Sequence, residues 1–259
     1  MFVKNSLLCC ALIVVTFASL STVSAQNPPR TPTETTRAFY TMMREKKYRE
    51  AFAISIYQPA MEGLTAQDLE DLRPDFDKMA QAIAEKLPGN IDISGEQISG
   101  DLATVFVKVL DADGKEKVEP ATLMRVGNAW VVGDKESLAL VRKEGKKFFF
   151  EARITAHHND VQDMMTRISL AQVYYSQGHN GMFGTMADLI ATGAIPKDIE
   201  GTETTGYRFQ INRAADGKSW YATAEPFQYG RTGRLSFYLD ASGVRSSDVG
   251  GKPLSVKRN

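Results

Sequence analysis

Tyr207-Arg208-Phe209-Gln210-Ile211-Asn212, a turn at Asp216-Gly217, and Trp220-Tyr221-Ala222-Thr223-Ala224 running up to Pro226 form the stretch that decides the fold. Tyr207, Phe209 and Ile211 alternate with Arg208, Gln210 and Asn212, so one face of a strand meets a core and the other meets water. Asp-Gly between two such runs marks a tight turn, and a proline closing the second run stops the ladder. Leu235, Phe237 and Leu239 alternate with Ser236, Tyr238 and Asp240 in a third strand. Upstream, from Glu151 onward, Ile154, Val161, Met165, Ile168, Ala171 and Tyr175 recur at helical spacing, with Arg153, Asn159, Asp160, Asp163 and Arg167 between them. These patterns predict an amphipathic helix packed on an antiparallel sheet of three strands.

Leu170-Ala171-Gln172-Val173-Tyr174-Tyr175, Met186-Ala187-Asp188-Leu189-Ile190, Thr205-Gly206-Tyr207-Arg208-Phe209 and the run from Gly233 to Gly243 together resemble the globular half of type IV pilins and pseudopilins. Members of that family begin with a short basic leader and a long apolar helix that anchors the subunit and builds the filament. Here Lys146-Lys147-Phe148-Phe149-Phe150 and a whole further domain stand before the helix, a departure from that pattern.

The first half opens on Thr31-Pro32-Thr33-Glu34, a threonine cap with proline at the first helical position and a glutamate placed to return a hydrogen bond. Phe39, Met42, Met43, Ala51 and Phe52 give it an apolar face. A second start at Thr65-Ala66-Gln67-Asp68 leads into Leu69, Leu72, Phe76, Met79, Ile83 and Leu87, with Pro74 expected to divide the helix and Pro88-Gly89 to end it. From Ile91 the period becomes two, and turns at Asp111-Ala112-Asp113-Gly114 and Gly127-Asn128 define a meander. Helices followed by an antiparallel meander predict the α+β class. With Phe39-Tyr40, Tyr48-Arg49-Glu50-Ala51-Phe52 and Asn128-Ala129-Trp130-Val131-Val132, this half resembles the cone-shaped nuclear transport factor two superfamily. The resemblance implies a curved sheet around a helix, with a cavity that some members use for catalysis and others for binding.

Of 259 residues, 43% are hydrophobic and 24% charged, the make-up of a globular chain long enough for two ordinary domains. Lys4, the apolar run Leu7 to Leu20 and the small residues Val23-Ser24-Ala25 read as a signal peptide cleaved before Gln26, with a retained anchor as the alternative. Both cysteines, Cys9 and Cys10, lie in this leader, which leaves no disulfide or thiolate chemistry to the mature chain; lipidation there is the weaker reading. The 31 basic and 31 acidic residues balance, so a nucleic-acid partner is not expected.

No phosphate-cradling loop, nucleotide fingerprint or nucleophile elbow occurs. A catalytic cone would need a buried acid or base, and the first half has no histidine; Asp75, Asp77, Tyr40, Tyr48 and Tyr57 read as solvated or structural. His157, with Asp160 three residues on, could share a zinc or copper ion, but His157, His158 and His179 read instead as solvated surface residues. Asp240, Ser242 and Asp248 could offer calcium oxygens, although Asp240 to Gly243 is sufficiently explained as a turn. Tyr221, Tyr229 and Tyr238, with Arg231 and Arg234, read as an outward protein-binding patch.

The expected organisation is a signal peptide over 1–25, a linker over 26–30, a cone-like domain over 31–141, a linker over 142–150, a pilin-like domain over 151–250 and a flexible tail over 251–259. Phe148-Phe149-Phe150 is expected to be buried between the domains. No catalytic, cofactor or metal residue is assigned. The function expected is an exported, non-catalytic binding protein of the bacterial cell envelope, periplasmic or extracellular. It would have a protein partner there, would not be stably inserted in the membrane after cleavage, and has a pilus or secretion apparatus as a candidate place of work. The alternatives are a small-molecule binder or enzyme using the cone, lined by Phe39, Phe52, Phe106 and Trp130, and a pilin-like structural subunit.

Overall fold

The computed structural model describes residues 29–202 and 205–255, so the leader, most of the tether and the last four residues of the tail lie outside the described residues. Thr31 and Thr65 cap two helices as the sequence predicts. The Thr31 hydroxyl accepts from the Glu34 amide while Glu34 returns a bond to the Thr31 amide, and Thr65 and Asp68 do the same. The helices so started are α1 (Pro32–Arg44) and α4 (Ala66–Lys86), with α2 (Tyr48–Ala53) and α3 (Gln58–Glu62) between them. Pro74 does not divide α4. It lies on the exposed side, where the Glu70 carbonyl that loses its donor faces water, while Leu72 and Phe76 hold the helix to the core from either side. Met79, expected inward, is exposed, and Ala80 takes the buried position.

Strands β1 (Ile93–Ser99), β2 (Leu102–Leu110), β3 (Glu116–Val126) and β4 (Ala129–Val132) form one antiparallel sheet in sequence order. Val105, Val107, Val109, Ala121, Leu123 and Trp130 cover its inner face, with Tyr40 of α1 and Ile83 of α4 packed against them. Phe106 alternates onto the opposite face from Val105 and Val107, so it does not line the interior as expected. Phe39 and Phe52 sit instead in the helical core, where Phe52, Phe76 and Phe149 form an aromatic triangle with centroids 5.0–5.3 Å apart.

Phe149 comes from beyond the first sheet. Helix α5 (Lys135–Glu144) leads through a 3-10 turn at Gly145–Lys147 into α6 (Phe148–Gly178), so the stretch expected as a linker is helical on both sides of one bend. Gly145 makes that bend at φ 53°, a left-handed conformation glycine adopts without a Cβ clash. Of the three phenylalanines there, Phe149 is buried and Phe148 and Phe150 are half-buried. Helix α6 begins three residues before the expected start. Its first turn belongs to the first core, and its Val161, Met165, Ile168 and Ala171 belong to the second.

The second core is closed by α7 (Met186–Ala191) and by a four-stranded antiparallel sheet, β5 (Tyr207–Arg213), β6 (Trp220–Pro226), β7 (Leu235–Asp240) and β8 (Gly243–Asp248). The fourth strand corrects the expectation of three. Its Arg245, Ser246, Ser247 and Asp248 are exposed at the sheet edge, so hydrophobic alternation never marks them. Gln172, fully buried on α6, both donates to and accepts from the backbone of Gly184 at 2.8 Å, which fixes the loop leaving the helix. The protein is therefore α+β, with two four-stranded antiparallel sheets that share one long helix. Among the described residues no helix is long and apolar enough to cross a membrane.

Candidate functional site

Three aspartates on α4, Asp68, Asp71 and Asp75, are spaced three and four apart and so share one helical face. That face meets two arginines from beyond the first sheet. Arg153 of α6 donates to Asp75 at 2.7 Å and to Asp71 at 2.9 Å, and Arg231, from the loop between β6 and β7, donates to Asp71 at 2.9 Å and to Asp68. The Arg231 guanidinium also lies 4.5 Å from the centre of the Phe150 ring. Arg234 in the same loop forms a two-pronged pair with Glu151, and this pairing holds the Glu151 carboxyl below its ordinary range.

Two of the three histidines expected in solvent, His157 and His158, pin this loop, while His179 is exposed as expected. A ring nitrogen of His157, Nδ1, stands 2.8 Å from the Thr232 carbonyl oxygen, and Nε2 of His158 accepts from the amides of Arg234 and Leu235 at 3.1 and 3.3 Å. An Nε2 that accepts carries no proton. Burial lowers the His158 pKa, and the charges of Arg234 and His157 lower it further. His179 stacks on Tyr175 at 3.7 Å. Gly233 passes so close to the Tyr207 hydroxyl that any Cβ would overlap it. His157 and Asp160 form no ligand pair, and no group of three or more metal-ligating side chains occurs among the described residues.

Asp77, Tyr48, Asp240 and Asp248 are similarly occupied, whereas Tyr40 and Tyr57 pack on aromatic neighbours. Asp77 accepts from Tyr48 and pairs with Lys46 at 3.1 Å, both of which pull its carboxyl down; burial, and then the Asp77 bond, push the Tyr48 phenol up. Asp240 accepts from both the amide and the hydroxyl of Ser242 and pairs with Arg245 at 2.7 Å, while Asp248 sits at the other end of the β7–β8 pair, opposite Leu235, and accepts from the Tyr229 hydroxyl at 3.0 Å, so Asp248 does not join the other two suggested calcium ligands. The expected tyrosine–arginine patch divides too. Arg231 and Arg234 are spent at the junction, and Tyr221 and Tyr238 stack on each other across the outer face of the second sheet at 5.5 Å.

That outer face carries a cleft of about 370 Å³ lined by Gln210 and Asn212 of β5, Tyr221 and Thr223 of β6, Tyr238 of β7, and Pro253 to Ser255. Residues 253–255, expected in a flexible tail, form its wall. Cross-strand pairing sets the lining: Asn212 opposes Tyr221, Gln210 opposes Thr223, and Thr223 opposes Tyr238. Further along β6 and β7, Glu225 Oε2 and Ser236 Oγ are buried with no hydrogen-bond partner among the described residues, and burial raises the Glu225 pKa. Sequence alternation already placed Gln210, Asn212 and Tyr221 on this side, where they are exposed or half-buried; Tyr238, also expected outward, is buried at 5% exposure against Tyr221 and Arg245. Alternation gave no sign of the wall at residues 253–255.

No protein-family model and no curated protein sequence matches the chain. Among solved structures, one described as an NTF2-like transpeptidase, from Campylobacter jejuni, is similar over 41% of this chain and 100% of that one, at 15% identity and a TM-score of 0.30, a likeness that assigns neither fold nor activity.

Proposed function

We propose that the chain is an exported, non-catalytic binding protein of the bacterial cell envelope that acts through a protein partner, with the second half as the partner-facing unit. The observation that carries this reading is on α6. Leu170, Val173 and Tyr174, at spacings of three and four, are 67%, 52% and 73% exposed on the side turned away from the second core. Three large apolar side chains in one exposed helical stripe are suited to a groove on another protein. The resemblance to pilin globular domains supports a place near a pilus or secretion apparatus. Binding is favoured over catalysis because Asp75, Asp77 and Tyr48 of the first half serve structural bonds, Tyr40 and Tyr57 pack on aromatic neighbours, and its sheet interior is packed with side chains. The test is site-specific photocrosslinking in the source cells from position 174, with position 118 on the first sheet as reference. A discrete envelope-protein adduct from 174, lost on Leu170→Glu, is expected; no adduct from 174 would refute the reading.

A further inference from the structure

We propose that the cleft on the outer face of the second sheet is a binding site for a neutral oligosaccharide, a role independent of the helix stripe. The argument rests on what lines it. Exposed Gln210 and half-buried Asn212 supply amides that donate and accept, half-buried Tyr221 supplies a hydroxyl, the more buried Thr223 and Tyr238 form the floor, and no charged side chain is among the described lining residues. Arg245, which lies over the Tyr238 ring at 5.3 Å, is paired with Asp240 at 2.7 Å. An anionic ligand would therefore find no cation among the described lining residues, and a purely apolar one would dry the two amides without replacing their hydrogen bonds.

A peptide strand is disfavoured by position. The cleft lies over the face of β5 to β7, and the β6 backbone there is already paired on both sides, so strand addition has no ladder to extend at that point. A sugar ring suits both features of the lining. Its C–H face packs on an aromatic ring, and its hydroxyls each donate and accept, as the amides and hydroxyls of the wall do. Tyr221 is half-buried and held parallel to Tyr238 within 13°, so its ring is fixed before any ligand arrives. At about 370 Å³ the cleft is within the size range of small-ligand sites. Pro253, Leu254 and Ser255 complete the lining, and the cleft is partly open to solvent rather than enclosed, so a ligand longer than one ring can extend out of it.

The test is calorimetric titration of the purified protein with cellohexaose, maltohexaose and chitohexaose, with polygalacturonate as a charged reference. Saturable binding of at least one neutral hexasaccharide is expected. Tyr221→Ala should weaken it at least tenfold, and Gln210→Leu at the exposed cleft edge about fivefold, the loss expected of one hydrogen bond. Tyr221→Phe, which keeps the ring and removes only the hydroxyl, should weaken binding by no more than about fivefold, the loss of one hydrogen bond, and so less than Tyr221→Ala. Gln210→Leu decides the matter if Tyr221→Ala disturbs folding. Failure of all three neutral sugars to bind, binding of polygalacturonate alone, or an affinity indifferent to Gln210→Leu would overturn the proposal.

Discussion

Removing Arg153 tests whether the ion network at the head of α6 joins the two halves. Its side chain is 6% exposed and its fork is divided between Asp71 and Asp75, which are 26% and 31% exposed. Losing one partner of a fully buried ion pair costs about 3–5 kcal/mol, most of it from the charge left behind. Here the two carboxylates keep some contact with water, and Asp71 keeps Arg231, so Arg153→Ala should cost about 2–3 kcal/mol. Arg153→Met separates packing from charge, because a long unbranched side chain can still lie near the Phe150 ring that the guanidinium now faces at 5.5 Å. Adding Asp75→Asn to Arg153→Met should return more than half of the loss, since the stranded charge goes with it. The assay is urea unfolding followed at Trp130 in the first half and Trp220 in the second, using single-tryptophan backgrounds. The parent transitions should coincide, and those of Arg153→Ala should separate. A loss below about 0.5 kcal/mol, the scale of an ordinary surface change, or no recovery in the double variant would refute the reasoning.

Gly233→Ala places a methyl where the buried Tyr207 ring and hydroxyl already stand, and should cost about 1–3 kcal/mol in thermal unfolding. An unchanged melting temperature would mean the loop yields freely. Glu225, raised by burial above 4.5, binds its proton more tightly in the folded chain than in the unfolded one, so its contribution is complete below pH 4.5 and is lost as pH rises through the folded value. Glu225→Gln should therefore gain stability over the parent at pH 7 and not at pH 4; calorimetry at the two values checks this. His158 runs the other way. Its pKa is held below 6.5, so the unfolded chain takes up the proton first, and the loop it holds is fully stabilised above pH 6.5 and loosened as pH falls through the folded value. Hydrogen exchange at the Arg234 and Leu235 amides should quicken, beyond its intrinsic pH dependence, between pH 7 and pH 5; unchanged protection would count against the bond.

The parts legible in the sequence were those governed by one local signal. The two threonine caps, the Asp216-Gly217 turn, the Gly127-Asn128 hairpin and the inward set Tyr207, Phe209 and Ile211 each follow from neighbouring residues, and the structure has them all. Pro74 misled because an exposed helix face tolerates a lost bond that the sequence presents as a break. Strand β8 has no apolar alternation, since an edge strand with a solvated face needs none. The ion network left half a trace: Asp68, Asp71 and Asp75 at helical spacing announce a negative stripe, but its partners lie far along the chain at Arg153 and Arg231. His157 and His158 read as surface residues because nothing local reports the loop that returns to them some 75 residues later.

A 31-residue helix that serves two cores also sets an angle, and the number of residues between the cores sets its value. Each residue of an α-helix turns the axis by about 100° and advances it about 1.5 Å. One residue inserted between Arg153 and Val161 would leave both cores chemically whole while swinging the second sheet more than a quarter turn around the first. Arg231 would then no longer reach the aspartates of α4, although no residue of the network had been altered. The stretch from Thr155 to Asp160 thus works as a phase spacer. Its length, more than the identity of its exposed residues, decides which way the second sheet faces.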